Sequence, residues 1–90
     1  MQKERFTVKI GQVEKNLVNL PQKVQDNFIA LVHNLSLEGP QQPGWQNYTN
    51  FENIHYHRHL TPRHVACWRP EKTSQTIEVY YVGSREEAPY

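Results

Sequence analysis

Residues 53–60 read NIHYHRHL, and the alternation in this stretch decides how the rest of the chain assembles. Successive side chains of a strand point to opposite faces, so Tyr56, Arg58 and Leu60 share one face and His55, His57 and His59 the other. Tyr56 and Leu60 suit a face covered by helices, which turns the histidine row toward an open face. Arg58 is the misfit: a buried, unpaired arginine is too costly, so it must reach the sheet edge, find an acid, or mark a twist. A further histidine, His64, lies five residues beyond His59.

Working outward, RFTVKI (residues 5–10) alternates Phe6, Val8 and Ile10 against Arg5, Thr7 and Lys9, the pattern of a half-buried strand. QVEKNLVNL then sets Val13, Leu17 and Leu20 at helical spacing, predicting a short amphipathic helix. Pro21 suits the first turn of a second helix, where its missing N–H is not needed. That helix carries Val24, Phe28, Leu31, Val32 and Leu35 as one apolar stripe. Gly39 caps it and Pro40 cannot continue it. His33 lies off the stripe and reads as exposed. The loop from Pro40 predicts one short strand around Trp45 to Tyr48, with Trp45, Tyr48 and Phe51 capping the core.

After NIHYHRHL come two more strand candidates, HVACWR and TIEVYYV, separated by the turn-rich TPR and PEKTSQ. The fold class expected is therefore α+β, in one domain spanning residues 1–90. Two N-terminal helices pack on one face of an antiparallel sheet of three or four strands.

Composition narrows the function classes. Ninety residues with 37% hydrophobic side chains form a single small core. The lone Cys67 cannot form an internal disulfide, and no run resembles a signal peptide or membrane span, so a cytoplasmic location without a membrane partner is expected. Residues 1–54 carry five basic and five acidic side chains. Residues 55–85 carry Arg58, Arg63, Arg69, Lys72 and Arg85 against Glu71 and Glu78, a local charge of +3. A polyanion site, if there is one, belongs in that second stretch. A solvated sheet face with surface arginines would show the same charge.

The motifs LPQKVQDNF, YHRHL, HVACW and VYYVGSREEAPY occur in the order seen in the RelE/ParE superfamily of bacterial toxin–antitoxin toxins, which the chain resembles over nearly all its length. The most specific part is the end, where Val82, Gly83, Ser84, Arg85 and Tyr90 match a Val-Gly-x-Arg motif with a following tyrosine. The resemblance implies a ribosome-dependent endoribonuclease that cleaves mRNA without a metal or other cofactor, restrained by a cognate antitoxin. ParE-type members instead inhibit DNA gyrase as binding proteins, which is the alternative function. RelE-like members carry Tyr-basic-x-basic on the third strand, and here those basic positions hold His57 and His59. A further basic residue opens the next strand, a place taken by Arg63 or His64. The chain departs from the pattern at Arg58, where relatives have an apolar residue, and its overall charge is milder.

Cleavage of this kind needs the 2′-hydroxyl deprotonated, the 5′-oxygen protonated and the phosphorane charge stabilised. Histidine serves as base or acid near neutrality. Arginine binds phosphate oxygens bidentately, and a tyrosine stacks on an unpaired base. The catalytic set implied is His57, His59, His64, Arg85 and Tyr90, with His57, His59 and Arg85 expected to face solvent. Arg58, Arg63 and Arg69 are candidate RNA contacts. His-x-His-x-His also raises a metal site, but three in-line imidazoles do not close a tetrahedron unless His64 or an acid completes it. No metal is expected. The plainer expectations make Trp68 and Tyr80 packing residues, Cys67 a small buried hydrophobe, His55 a surface group, and Glu86 and Glu87 solvated.

Overall fold

The computed structural model describes residues 5–40, 49–51, 55–71 and 75–89, with 49–51 as backbone only. Its strands are β1 (Thr7–Lys9), β2 (Thr49–Phe51), β3 (His55–Thr61), β4 (His64–Pro70) and β5 (Thr76–Ser84). Helices α1 (Glu14–Leu17) and α2 (Gln22–Glu38) lie between β1 and β2, and a 3-10 turn at Arg85–Glu87 follows β5.

The strands form one five-stranded sheet in the order β1-β5-β4-β3-β2. β2 to β5 are an antiparallel meander, but β1 runs parallel to β5 with Val8 opposite Ile77. The expected antiparallel sheet of three or four strands is thus corrected to a mixed sheet of five. Alternation along RFTVKI fixes which side chains go inward and says nothing about the neighbour's direction. Pairing with β5 is a contact across the whole chain, and beside it Lys9 meets Glu71, the residue after β4, at 3.3 Å. The short strand expected around Trp45 to Tyr48 lies outside the described residues, and a short strand is described at Thr49–Phe51.

The helical stripe behaves as its spacing requires. Val24, Phe28, Leu31 and Leu35 are buried, with Val32 partly so. They pack with Tyr56, Leu60, Ala66, Trp68, Ile77, Val79 and Val82 from the facing side of the sheet. Tyr56 and Trp68 stack at 6.2 Å inside this core. The indole N–H of Trp68 donates to Pro40 O at 2.8 Å, so the largest buried side chain leaves no polar atom unmet. Asn27 Nδ2 donates to Leu60 O at 2.6 Å and fastens α2 to the end of β3. α1 is only four residues long. Val13 at its N-cap is nonetheless buried, and its Asn16 amide donates to Val82 O of β5. Pro21 stands at the N-cap of α2, one position before the first turn.

Gly39 closes α2 with its N–H on Leu35 O at 2.9 Å. Its backbone sits at φ 90°, ψ −174°, a region open essentially to glycine alone. A Cβ there would also stand 2.9 Å from the Phe6 ring. Gly39→Ala should therefore cost about 1–3 kcal/mol, the usual range for such strain. Urea unfolding followed by Trp68 fluorescence measures it, and a midpoint equal to that of the parent chain would contradict the assignment.

Candidate functional site

The sheet face away from the helices is defined by residues opposite one another on three strands. His57 pairs with Cys67, which pairs with Tyr81; His59 pairs with Val65, which pairs with Gly83. This face is not bare, as the sequence reading expected, because Val65 and Cys67 are fully buried on it. Burial pushes the Cys67 thiol up to about 12, so it stays protonated and unreactive. Thiol reagents at pH 8 should leave native Cys67 unlabelled and react only after unfolding; rapid native labelling, read by mass spectrometry, would show an opening the packing does not have.

Two irregularities shape the site. Cys67 faces Tyr81 while Trp68 faces Val79, so Tyr80 is an extra residue on β5. A bulge of this kind puts two consecutive residues against one, and it leaves both Tyr80 and Tyr81 outside the core set of Ile77, Val79 and Val82. A second register shift lies between His59 and Thr61 at the β3–β4 turn. That turn receives the end of β5, because Arg85 N–H donates to Arg63 O at 2.8 Å.

The result is an open cleft of about 460 Å3 lined by His59, Thr61, Pro62 and Arg85. His59 comes from the third strand and Arg85 from the 3-10 turn that follows the last. Arg63 is exposed in the turn, and His64 Nδ1 lies 2.9 Å from Thr61 Oγ1. His57 stands beside this group, its ring 5.9 Å from that of His59. It is 7% exposed, which corrects the expectation that it faces solvent. Alternation assigned its face correctly but could not show how closely Cys67 and His59 crowd it. Burial, and then the neighbouring charge of His59, lower its pKa below the ordinary 6.5, so His57 is neutral at pH 7.

Several candidates fall elsewhere. Arg58 is half-buried between Tyr56 and Leu60, opposite Ala66 of the core, and burial lowers its guanidinium pKa. It occupies the helix-covered side, away from the cleft. Arg69 bonds Glu78 at 2.8 Å and lies over the Tyr80 ring at 4.9 Å. His55 is half-buried rather than a surface group, with Nδ1 3.2 Å from Tyr80 OH. Glu86 and Glu87 are exposed, as is His33. Among the described residues no three His, Cys, Asp or Glu side chains gather as a metal site, and no helix is long and apolar enough to cross a membrane. Tyr90 lies outside the described residues. Sequence reasoning missed Thr61 and Pro62, which read as turn punctuation; their position directly after the histidine strand was the available signal.

The architecture has close counterparts among solved structures. An archaeal RelE–RelB complex from Pyrococcus horikoshii OT3 matches at TM-score 0.70 and 20% identity, covering 92% of this chain and 98% of that one. This chain has a RelE-like fold. The RelBE2 toxin–antitoxin complex from Mycobacterium tuberculosis matches at TM-score 0.54 and 12% identity, over 93% of this chain and 95% of that one. No protein-family model and no curated protein sequence matches the RelE-like chain.

The depressed His57 pKa has a consequence for stability. Between the folded and unfolded values the unfolded chain holds a proton that the folded chain does not, so acid favours unfolding there. Stability should fall as pH drops through about 6.5, the unfolded histidine value, toward the lower folded value. Replacing His57 with Gln should flatten the thermal midpoint against pH between pH 7.5 and 5.5. Equal slopes for the two proteins would mean that His57 titrates normally.

Proposed function

We propose that this chain is the toxin of a toxin–antitoxin pair and a ribosome-dependent endoribonuclease that cleaves mRNA. The observation that carries this reading is the meeting of His59 and Arg85 in one open cleft at the end of the sheet. The RelE-like fold, shared with structures described as RelE–RelB and toxin–antitoxin complexes, supports the biological setting. Such a cleft accepts a phosphodiester. Arg85 binds its oxygens and offsets the charge that grows as the 2′-oxygen attacks phosphorus. One histidine takes the 2′-hydroxyl proton and another group returns a proton to the departing 5′-oxygen, leaving a 2′,3′-cyclic phosphate and a 5′-hydroxyl.

His59 is placed for direct proton transfer because it lines the cleft. His57, neutral and buried against it, acts from behind by keeping the His59 ring in place and opposing a second positive charge. His64 approaches through Thr61. Arg63 is the exposed cation for the RNA backbone, and Tyr90, five residues after Arg85, is the base-stacking candidate. Histidine and arginine suffice for this chemistry, so no metal or cofactor is invoked. The substrate places the chain in the cytoplasm, with ribosome and mRNA as partners. A cognate antitoxin covers the basic face, and its grip weakens as salt screens the local charge.

Induction without the antitoxin should arrest growth and yield mRNA 5′ ends positioned by reading frame. His59→Ala or Arg85→Ala should lower cleavage about 100-fold, the range for losing a proton-transfer or charge-stabilising group. Growth arrest with intact mRNA and stalled gyrase would instead establish the ParE-like binding function. A harmless chain at high expression in its own host would defeat the toxin reading altogether.

A further inference from the structure

Thr61 and Pro62 bring the β3–β4 turn to the cleft, and Thr61 is the polar side chain of the two. It lines the cleft beside His59 and Arg85, just past the register shift that follows His59. Its Oγ1 accepts the Arg63 N–H at 3.3 Å and lies 2.9 Å from His64 Nδ1. A hydroxyl has one proton and two lone pairs, and Arg63 takes one of those pairs. The remaining arrangement is set by His64. When Nδ1 is bare, the Thr61 proton points at it and the cleft receives no donor. When Nδ1 carries a proton, the imidazole donates to the second lone pair, and the Thr61 proton turns toward the open side, which is the cleft.

We propose that Thr61 contacts the phosphate bound beside Arg85, with its hydroxyl turned into the cleft by a proton on His64 Nδ1. This inference rests on the phosphodiester reading of the cleft. His64 is then a positioning residue, acting through Thr61 without touching the substrate itself. The Nδ1 proton does this work on a neutral or a cationic ring. Arg63, His59 and Arg85 are the basic groups around the turn and cleft, and Glu86 and Glu87 stand exposed beside Arg85. An anion in the cleft stabilises the outward hydroxyl, so anion binding and protonation at Nδ1 favour each other.

The test follows the ring nitrogens of His64 by NMR in the full chain, labelled with 15N-histidine and titrated with inorganic phosphate. Phosphate should shift Nδ1 toward its protonated form. Thr61→Ser should keep that response. Thr61→Val, close to isosteric, should abolish it and weaken phosphate binding about tenfold, as expected for a lost hydrogen bond to a charged group. Thr61→Ala gives the same comparison if valine is not accommodated, with chemical-shift dispersion reporting the fold. His64 signals that ignore phosphate in the parent chain would overturn the proposal, as would equal phosphate affinity in a folded chain lacking the hydroxyl. On programmed ribosomes, Thr61→Val should slow cleavage about tenfold and Thr61→Ser should restore it; an unchanged rate in the valine variant also overturns the proposal. If the parent chain cleaves nothing yet the phosphate response persists, the nuclease function fails while the anion contact stands.

Discussion

The apolar stripe of α2 seated on one side of the sheet governs nearly everything else in this molecule. Phe28, Leu31 and Leu35 meet Trp68 at the centre of that contact, and none of the four is more than 1% exposed. Because β3 alternates, committing Tyr56 and Leu60 to this side commits His57 and His59 to the other. A slip of one residue in β3 would send both histidines into the core. The candidate site is thus specified by hydrophobic packing on the opposite face of the same strand.

Electrostatics then sort the basic side chains. Lys9 is paired with Glu71 and Arg69 with Glu78, both near the end of the sheet where β1 meets β5. Arg58 is half-buried on the helix side. Arg63 and Arg85 are the exposed arginines at the other end, joined through their backbones. Two of the arginines behind the local charge of +3 thus lie at the cleft end, with Glu86 and Glu87 exposed beside Arg85, while Lys72 lies outside the described residues. Arg85 itself lines the cleft, where an anionic ligand would meet it.

Much of this was legible in the residues. The stripe on α2, the glycine cap at 39, the alternation of RFTVKI and NIHYHRHL, and the α+β order all follow from periodicity and turn chemistry. Three features were not. The parallel pairing of β1 with β5 depends on a contact between the two ends of the chain, which no local pattern encodes. The burial of His57 depends on Cys67 and His59 crowding it, whereas alternation reports only direction. Thr61 lies just past a register shift, and TPR reads equally well as an ordinary turn. Local rules thus assigned faces well, but depth and neighbours come from tertiary packing.

The extra residue at Tyr80 bears on how this strand tolerates change. On its β1 side, odd-numbered Ile77 and Val79 point inward; beyond it, even-numbered Val82 does. The bulge acts as a parity switch, and the two halves of β5 are counted separately. Removing Tyr80 or Tyr81 would leave Ile77, Val79 and Val82 in a plain two-residue repeat, all still facing the core, but with one tyrosine fewer on the outer face and without the local bend. The bulge thus adds a side chain to the outer face without disturbing the inner one, so its loss would be felt on the face of the histidines and not in the core.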